Sequence, residues 1–320
     1  MILHFISTAL SPITHMHGVA GNVALLQREA VIGPDGQAYS VPCLSGNALR
    51  HALVRVSAAR YLCDAVGLKD VPYQLGALLF HGGSLTKDTP LTAAQTKDLL
   101  DAVPFLALLG GALPGQILQG ALKVSRGLLI CSEAADIIAR RSGVMPQNVG
   151  GSESYVGAFL YTRGAEENNP DAIGDRMIYE GECVKAGAKF YHTMTLEGAV
   201  SPRVTGCLLK ALRDASKDIG GMGRIGHGEL SIEWASEDID DADELIKDYE
   251  DFVTSTADAV RETLLGLFGG GTDAPAPKPK KAAKPKAAKA KADEPKAADS
   301  DGETRQARLQ DACGDFFGEV

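Results

Sequence analysis

The chain has 320 residues, 45% hydrophobic and 23% charged, enough for one large elaborated domain or two small ones with a real core. Its first residues, MILHFISTAL, lack the basic start and small-residue cleavage pattern of a secretory signal, and no apolar run reaches the ~18 residues of a membrane span. The expected compartment is the cytoplasm, with no membrane partner. A net charge of −9 argues against a nucleic-acid partner, but the charge is unevenly spread: residues 237–251, EDIDDADELIKDYED, hold nine acids and one lysine, and the tail from Thr272 onward sums to about +1. The remainder is close to neutral, which permits a local basic groove. The six cysteines, at positions 43, 63, 131, 183, 207 and 313, form no C-x-x-C pair, so they are read as reduced and packed. No zinc knuckle, metal site or cofactor is expected.

In chain order, Ile2 to Ala9 reads as a strand and Val23 to Ile32 as a second extended stretch ending at GPDG. A helix follows Ser45, a plausible N-cap, with Leu49, Leu53, Val56, Ala59 and Leu62 at the spacing of a buried face. Thr92 to Leu109 reads as a further helix stopped by Gly110 and Gly111, and Lys123 to Cys131 as a strand. A polar, glycine-punctuated insertion covers about 132–185. Then come a strand in KFYHTMTLEGAV, a helix from Pro202 to about Lys217, a glycine-rich turn and a closing strand in GELSIEW. Strand, helix, strands, helix, strand is the order of an α+β, ferredoxin-like (RRM-like) domain enlarged by insertions. This domain covers 1–271. Residues 272–299 are almost wholly Lys, Ala, Pro and a few acids and cannot build a core, so they read as a disordered linker. Residues 300–320 end the chain as a frayed end or a short docking helix.

The turn, DIGGMGRIGHGEL, places glycines at 220, 221, 223, 226 and 228. Such density frees the backbone for positive φ and for close approach to a ligand, with N–H groups able to face phosphates. Nucleotide-binding glycine loops follow a strand and open a helix, whereas this one follows a helix and opens a strand, and it has no GK[ST]. A flexible hairpin turn is the other reading. Arg224 and His227 within the turn favour phosphate or base contact.

Three segments together, VPCLSGNALRHALVR (Val41 to Arg55), VKAGAKFYHTMTL (Val184 to Leu196) and GGMGRIGHGEL, resemble in order the motifs of the RAMP superfamily of CRISPR-associated proteins. The size and the central insertion look like the backbone subunit of a multisubunit effector complex, of type IV first and type III second. The resemblance implies a palm, with the insertion at about 132–185 as a thumb that wedges between nucleotides. It also implies head-to-tail copies along a guide RNA that pairs with target DNA or RNA, together with other effector-complex subunits. With 6% aromatic residues and no RNP1-like motif, base stacking on a platform is not expected, so the protein is read as gripping the RNA backbone. The RNA contacts carried over are Ser45, Asn47 and Arg50 at the helix start, Arg163, Arg176 and Met177 in the thumb, and Gly220, Gly221, Met222, Gly223, Arg224, Ile225, Gly226 and His227 in the turn.

The type III backbone subunit cuts RNA with an aspartate in the loop after its first strand. Here the first acid of the chain is Glu29, beyond that loop, so no catalytic residue is expected. The loop instead offers His15 and His17, expected to face RNA, a neighbouring subunit or solvent. As a second reading they serve a metal-independent guide-processing ribonuclease as general acid and base.

Overall fold

The computed structural model describes residues 1–20, 23–85, 89–163, 177–235 and 241–268. The expected linker, the C-terminal segment and Arg176 lie outside the described residues. In β1 (Ile2–Ala9) the buried positions alternate through Leu3, Phe5, Ser7 and Ala9, the period of two that a strand covered on one face requires. β2 (Met16–Ala20), β3 (Val23–Leu26), β4 (Arg28–Ile32) and β5 (Ala38–Leu44) follow. The extended stretch expected over Val23 to Ile32 is therefore two strands. Gln27 separates them: its N–H goes to the His15 carbonyl at 2.7 Å and its carbonyl takes the Cys43 N–H at 2.9 Å, which sends the flanking strands into different sheets.

From Gly46 to Ala65 the chain is helical throughout, as α1 (Gly46–Arg50), a π-helical segment (His51–Arg55) and α2 (Val56–Ala65). The π segment rephases the buried stripe, so Val54 and Arg55 turn inward and Val56 is only half-buried, against the expected face. Next come α3 (Tyr73–His81), α4 (Ala93–Ala102) and α5 (Pro104–Leu109). The single helix expected over Thr92 to Leu109 breaks at Val103, φ −125° and ψ 82°, because Pro104 lacks an N–H and its ring excludes helical geometry in the residue before it. Thr92 caps the first half in a reciprocal capping box with Gln95.

A hairpin of β6 (Gly110–Leu113) and β7 (Gln116–Gln119) leads to β8 (Leu122–Val124) and β9 (Gly127–Leu129), two short strands where one was expected. The insertion then forms α6 (Ala135–Ser142), β10 (Val156–Arg163) and β11 (Met177–Val184). β12 (Lys189–Leu196), α7 (Pro202–Arg213), β13 (Leu230–Ala235), α8 (Ala242–Ser255) and α9 (Ala257–Phe268) complete the described chain. The acidic stretch was legible only as charge, yet α8 buries Ile246, Tyr249 and Val253 one helical turn apart, with most of its acids outward.

The fold is α+β. Its main sheet runs β13-β1-β12-β9-β5-β4, with β8 also on β12, and every pair in it is antiparallel. α2 and α7 pack together over the core, and the Ser57 hydroxyl donates to the Ala211 carbonyl at 2.8 Å between them. A second sheet, β10-β11-β3-β2, joins the insertion to the segment after β1. Cys43, Cys63, Cys131, Cys183 and Cys207 are free and buried. Burial pushes the thiol of Cys43 up to about 11 and those of Cys131 and Cys207 up to about 12, so at neutral pH they are protonated and unreactive. Among the described residues no helix is long and apolar enough to cross a membrane.

β1 and β12 enclose His192, fully buried, stacked on Phe5 at 4.9 Å and hydrogen-bonded through Nε2 to the Ser7 hydroxyl at 2.9 Å. Burial holds its ring down to about 4, against 6.5 when unfolded. A depressed native value means that the unfolded chain binds the proton more readily. This stabilisation is therefore complete above about pH 6.5 and lost as the pH falls toward 4, by roughly 2–3 kcal/mol. Denaturant midpoints at pH 7.5 and pH 4.5 should differ in this direction, and His192→Phe should remove much of the difference. An equal loss in the variant would place the acid sensitivity elsewhere.

Candidate nucleic-acid interface

The segment after β1 ties three distant parts of the chain together within three residues. Ile13 exchanges both backbone hydrogen bonds with Val184 at 2.9 Å. Thr14 accepts the Gly221 N–H at its carbonyl, and its hydroxyl donates to the Gly221 carbonyl, both at 2.7 Å. His15 Nε2 accepts the Ser45 N–H at 3.1 Å. The glycine turn, the helix start and the base of the insertion therefore meet at one loop.

The helix start is built for close approach. Ser45 sits at φ −68° and ψ 144°, and its hydroxyl accepts the Ala48 N–H at 3.2 Å. A Cβ on Gly46 would lie 2.6 Å from the Val124 carbonyl, so a side chain there would push the helix start off β8. Asn47 is exposed. Arg50 is half-buried, and its Nη2 donates to the Leu109 carbonyl. Burial lowers its pKa, and its buried Nε has no hydrogen-bond partner.

Five of the turn's N–H groups are used within the fold. The amides of Gly221, Ile225, Gly226, His227 and Gly228 donate to the carbonyls of Thr14, Met222, Gly223, Met222 and Pro12. Gly220, Gly226 and Gly228 have φ of 87°, 87° and 97°, but the other left-handed residue is Met222 at 63°, not Gly223, which begins a one-turn 3-10 helix over Gly223–Ile225. What the turn presents outward is Arg224 and Ile225, both exposed. The His227 ring faces inward instead: Nε2 lies 2.9 Å from the Tyr161 hydroxyl, and Phe159 meets the ring edge-on at 5.9 Å. Burial lowers its pKa.

The histidine pair is split. His15 commits its Nε2 lone pair to Ser45, and burial lowers its pKa, so protonation would break the contact that holds the helix start. His17 is exposed and donates through Nδ1 to Gln27 Oε1 at 3.0 Å. Arg163 and Met177 are register partners at the end of the β10–β11 ladder, about one strand length from the Val156–Val184 pair at its base. The structure thus gathers the turn, His15 and Ser45; Arg163 lies two residues beyond Tyr161, whose hydroxyl reaches His227 of the turn, and Met177 is its register partner. Sequence reasoning missed Thr14 and Tyr161, which no motif marks, and Arg55, whose side chain is buried beside Arg50.

No family model and no curated protein matches this sequence. Among solved structures, a chain of a type IV-B CRISPR complex superimposes over 74% of this chain and 92% of its own length, with a TM-score of 0.56 and 22% sequence identity. The two chains share a fold. The likeness covers nearly all of the CRISPR chain.

The glycines of the turn should not be equivalent. A Cβ on Gly220 would meet the Thr14 carbonyl at 2.6 Å with φ at 87°, whereas one on Gly223 meets nothing within 4 Å. Gly220→Ala should cost about 1–2 kcal/mol or more in a denaturant titration. Gly223→Ala should stay within about 0.5 kcal/mol of the parent. Equal costs would mean that the turn is not held by Thr14.

Proposed function

We propose that this chain is a backbone subunit of a type IV CRISPR effector ribonucleoprotein, working in the cytoplasm in antiviral defence. It binds guide RNA and polymerises along it head to tail. It presents the RNA for pairing with target DNA or RNA beside other subunits of the complex. The observation that carries this reading is the shared fold, extending over 92% of a chain of a type IV-B CRISPR complex. Supporting it, the antiparallel strands of the expected core lie in the order last, first, third, second, which is that of a ferredoxin-like palm. The β10–β11 pair, from the inserted segment expected to form a thumb, makes half of the second sheet. Three motif segments distant in sequence meet at Ile13 to His15. Base pairing supplies the sequence specificity in RNA-guided complexes, so a subunit of this kind needs only to hold backbone and shape.

The proposal makes the chain non-catalytic. A general base needs a free lone pair at the reacting hydroxyl, and His15 has spent the accessible one on Ser45. His17 alone has no second acid or base in the same loop, since no carboxylate precedes Glu29.

Purified with its guide RNA, the protein should form filaments whose length in electron micrographs follows RNA length. A monomer that stays free of nucleic acid when guide RNA is supplied would overturn the assignment. Incubated with a stem-loop repeat RNA without metal, it should leave the RNA intact. Cleavage that disappears in the His15→Ala, His17→Ala double variant would replace the backbone role with a guide-processing one.

A further inference from the structure

Beside the helix start lies a groove of about 1060 Å³, bounded by the Ser45–Arg55 stretch, the end of α3, the β6–β7 hairpin and β8. Two guanidinium groups meet in its wall at a single acceptor: Arg50 Nη2 and Arg55 Nη2 both donate to the Leu109 carbonyl, the latter at 3.4 Å. Arg55 Nη1 also takes the carbonyls of Leu78 and Leu79 at 3.0 and 3.2 Å, and its side chain lies over the Phe105 ring. These carbonyls end α3 and α5, so the negative ends of two helices hold the guanidinium in position.

No carboxylate among the described residues forms an ion pair with either arginine. The other cations of the groove are neutralised, Lys123 by Glu197 at 3.1 Å and Arg126 by Glu29. Arg55 is only 8% exposed, and burial first and then Arg50 bring it down to about 10, still charged at neutral pH. Two like charges partly removed from water with no counterion raise the energy of the empty groove, and an anion at the mouth offsets that cost. At the rim, the exposed rings of His51 and His81 stand nearly parallel, 13° apart with centroids 6.3 Å from each other. Flat rings give a base a surface to stack on, which the carboxylates of an acidic peptide do not use.

We propose that this groove is a second nucleic-acid contact, a phosphodiester site in which Arg50 and Arg55 hold a backbone phosphate of single-stranded RNA and His51 and His81 flank the adjoining base. The proposal rests on the RNA-binding reading above and adds to it the β6–β7 side of the helix start, with Arg55, His51 and His81 as residues outside the RNA contacts expected from the sequence.

The test uses the full chain, freed of nucleic acid in high salt, and a labelled oligouridine read by fluorescence anisotropy across a salt series. Arg50→Gln should weaken binding about tenfold and flatten the salt dependence by about one phosphate contact. The exposed His51→Ala, His81→Ala pair should weaken binding several-fold with an unchanged melting temperature, and it remains informative if Arg50→Gln fails to fold. If both folded variants bind as the parent does while Arg224→Gln is weaker, the groove proposal falls and the RNA reading stands. If the parent binds no RNA, both fall. Displacement of the RNA by polyglutamate at equal charge would overturn the phosphodiester assignment in favour of an acidic protein partner.

Discussion

Three consecutive residues, Ile13, Thr14 and His15, make the hydrogen bonds on which the candidate interface depends. Each bonds a different segment: Val184 at the base of the β10–β11 hairpin, Gly221 in the glycine turn and Ser45 at the helix start. None of these partners is within 25 residues of the loop in sequence, so the loop cannot adopt its course until the main sheet has brought them together. The flanking bonds extend the same constraint: Leu10 donates to Glu229, and Gly228 donates to Pro12. A loop of this kind is ordered by the fold and in turn fixes the mutual positions of elements that belong to different sheets.

This explains which features were legible from the amino-acid order. Strands with strict alternation, such as Ile2–Ala9, and helices with a strong cap, such as the one after Ser201, are specified locally and read correctly. Elements whose limits depend on tertiary hydrogen bonds were not legible: the break at Gln27 exists because His15 and Cys43 take its backbone groups. The break at Pro104 was legible in principle, since proline alone dictates it, but the apolar periodicity across it hid the boundary. α8 was hidden differently, its charge masking a narrow stripe of Ile246, Tyr249 and Val253.

For the site, glycine density correctly marks a turn with unusual backbone but says little about which groups remain free. Five of the turn's amides are taken by carbonyls of the turn itself or of the loop after β1, so exposed side chains, Arg224 first, carry part of its capacity for contact. The histidine pair, one residue apart in sequence, divides into a half-buried structural acceptor and an exposed donor, because His15 precedes β2 and His17 lies within it, in different surroundings. Arg55 could not be assigned to the surface of the groove from a 3.6-residue period, since the π segment displaces it from the place that period gives.

That π segment has a consequence for how the sequence can change. A helix with an i to i+5 register between His51 and Arg55 carries in effect one inserted residue, and each residue advances a helix by about 100°. The wider turn absorbs that residue, so Ser45, Asn47 and Arg50 keep their phase relative to the core stripe of α2 although one more residue lies between them; tightening the segment to a regular ladder without a deletion would rotate the capped end by roughly that angle. A single-codon deletion within this stretch would therefore leave a regular helix with its capped end on the same side, at the cost of the inward turn that the π segment gives Val54 and Arg55.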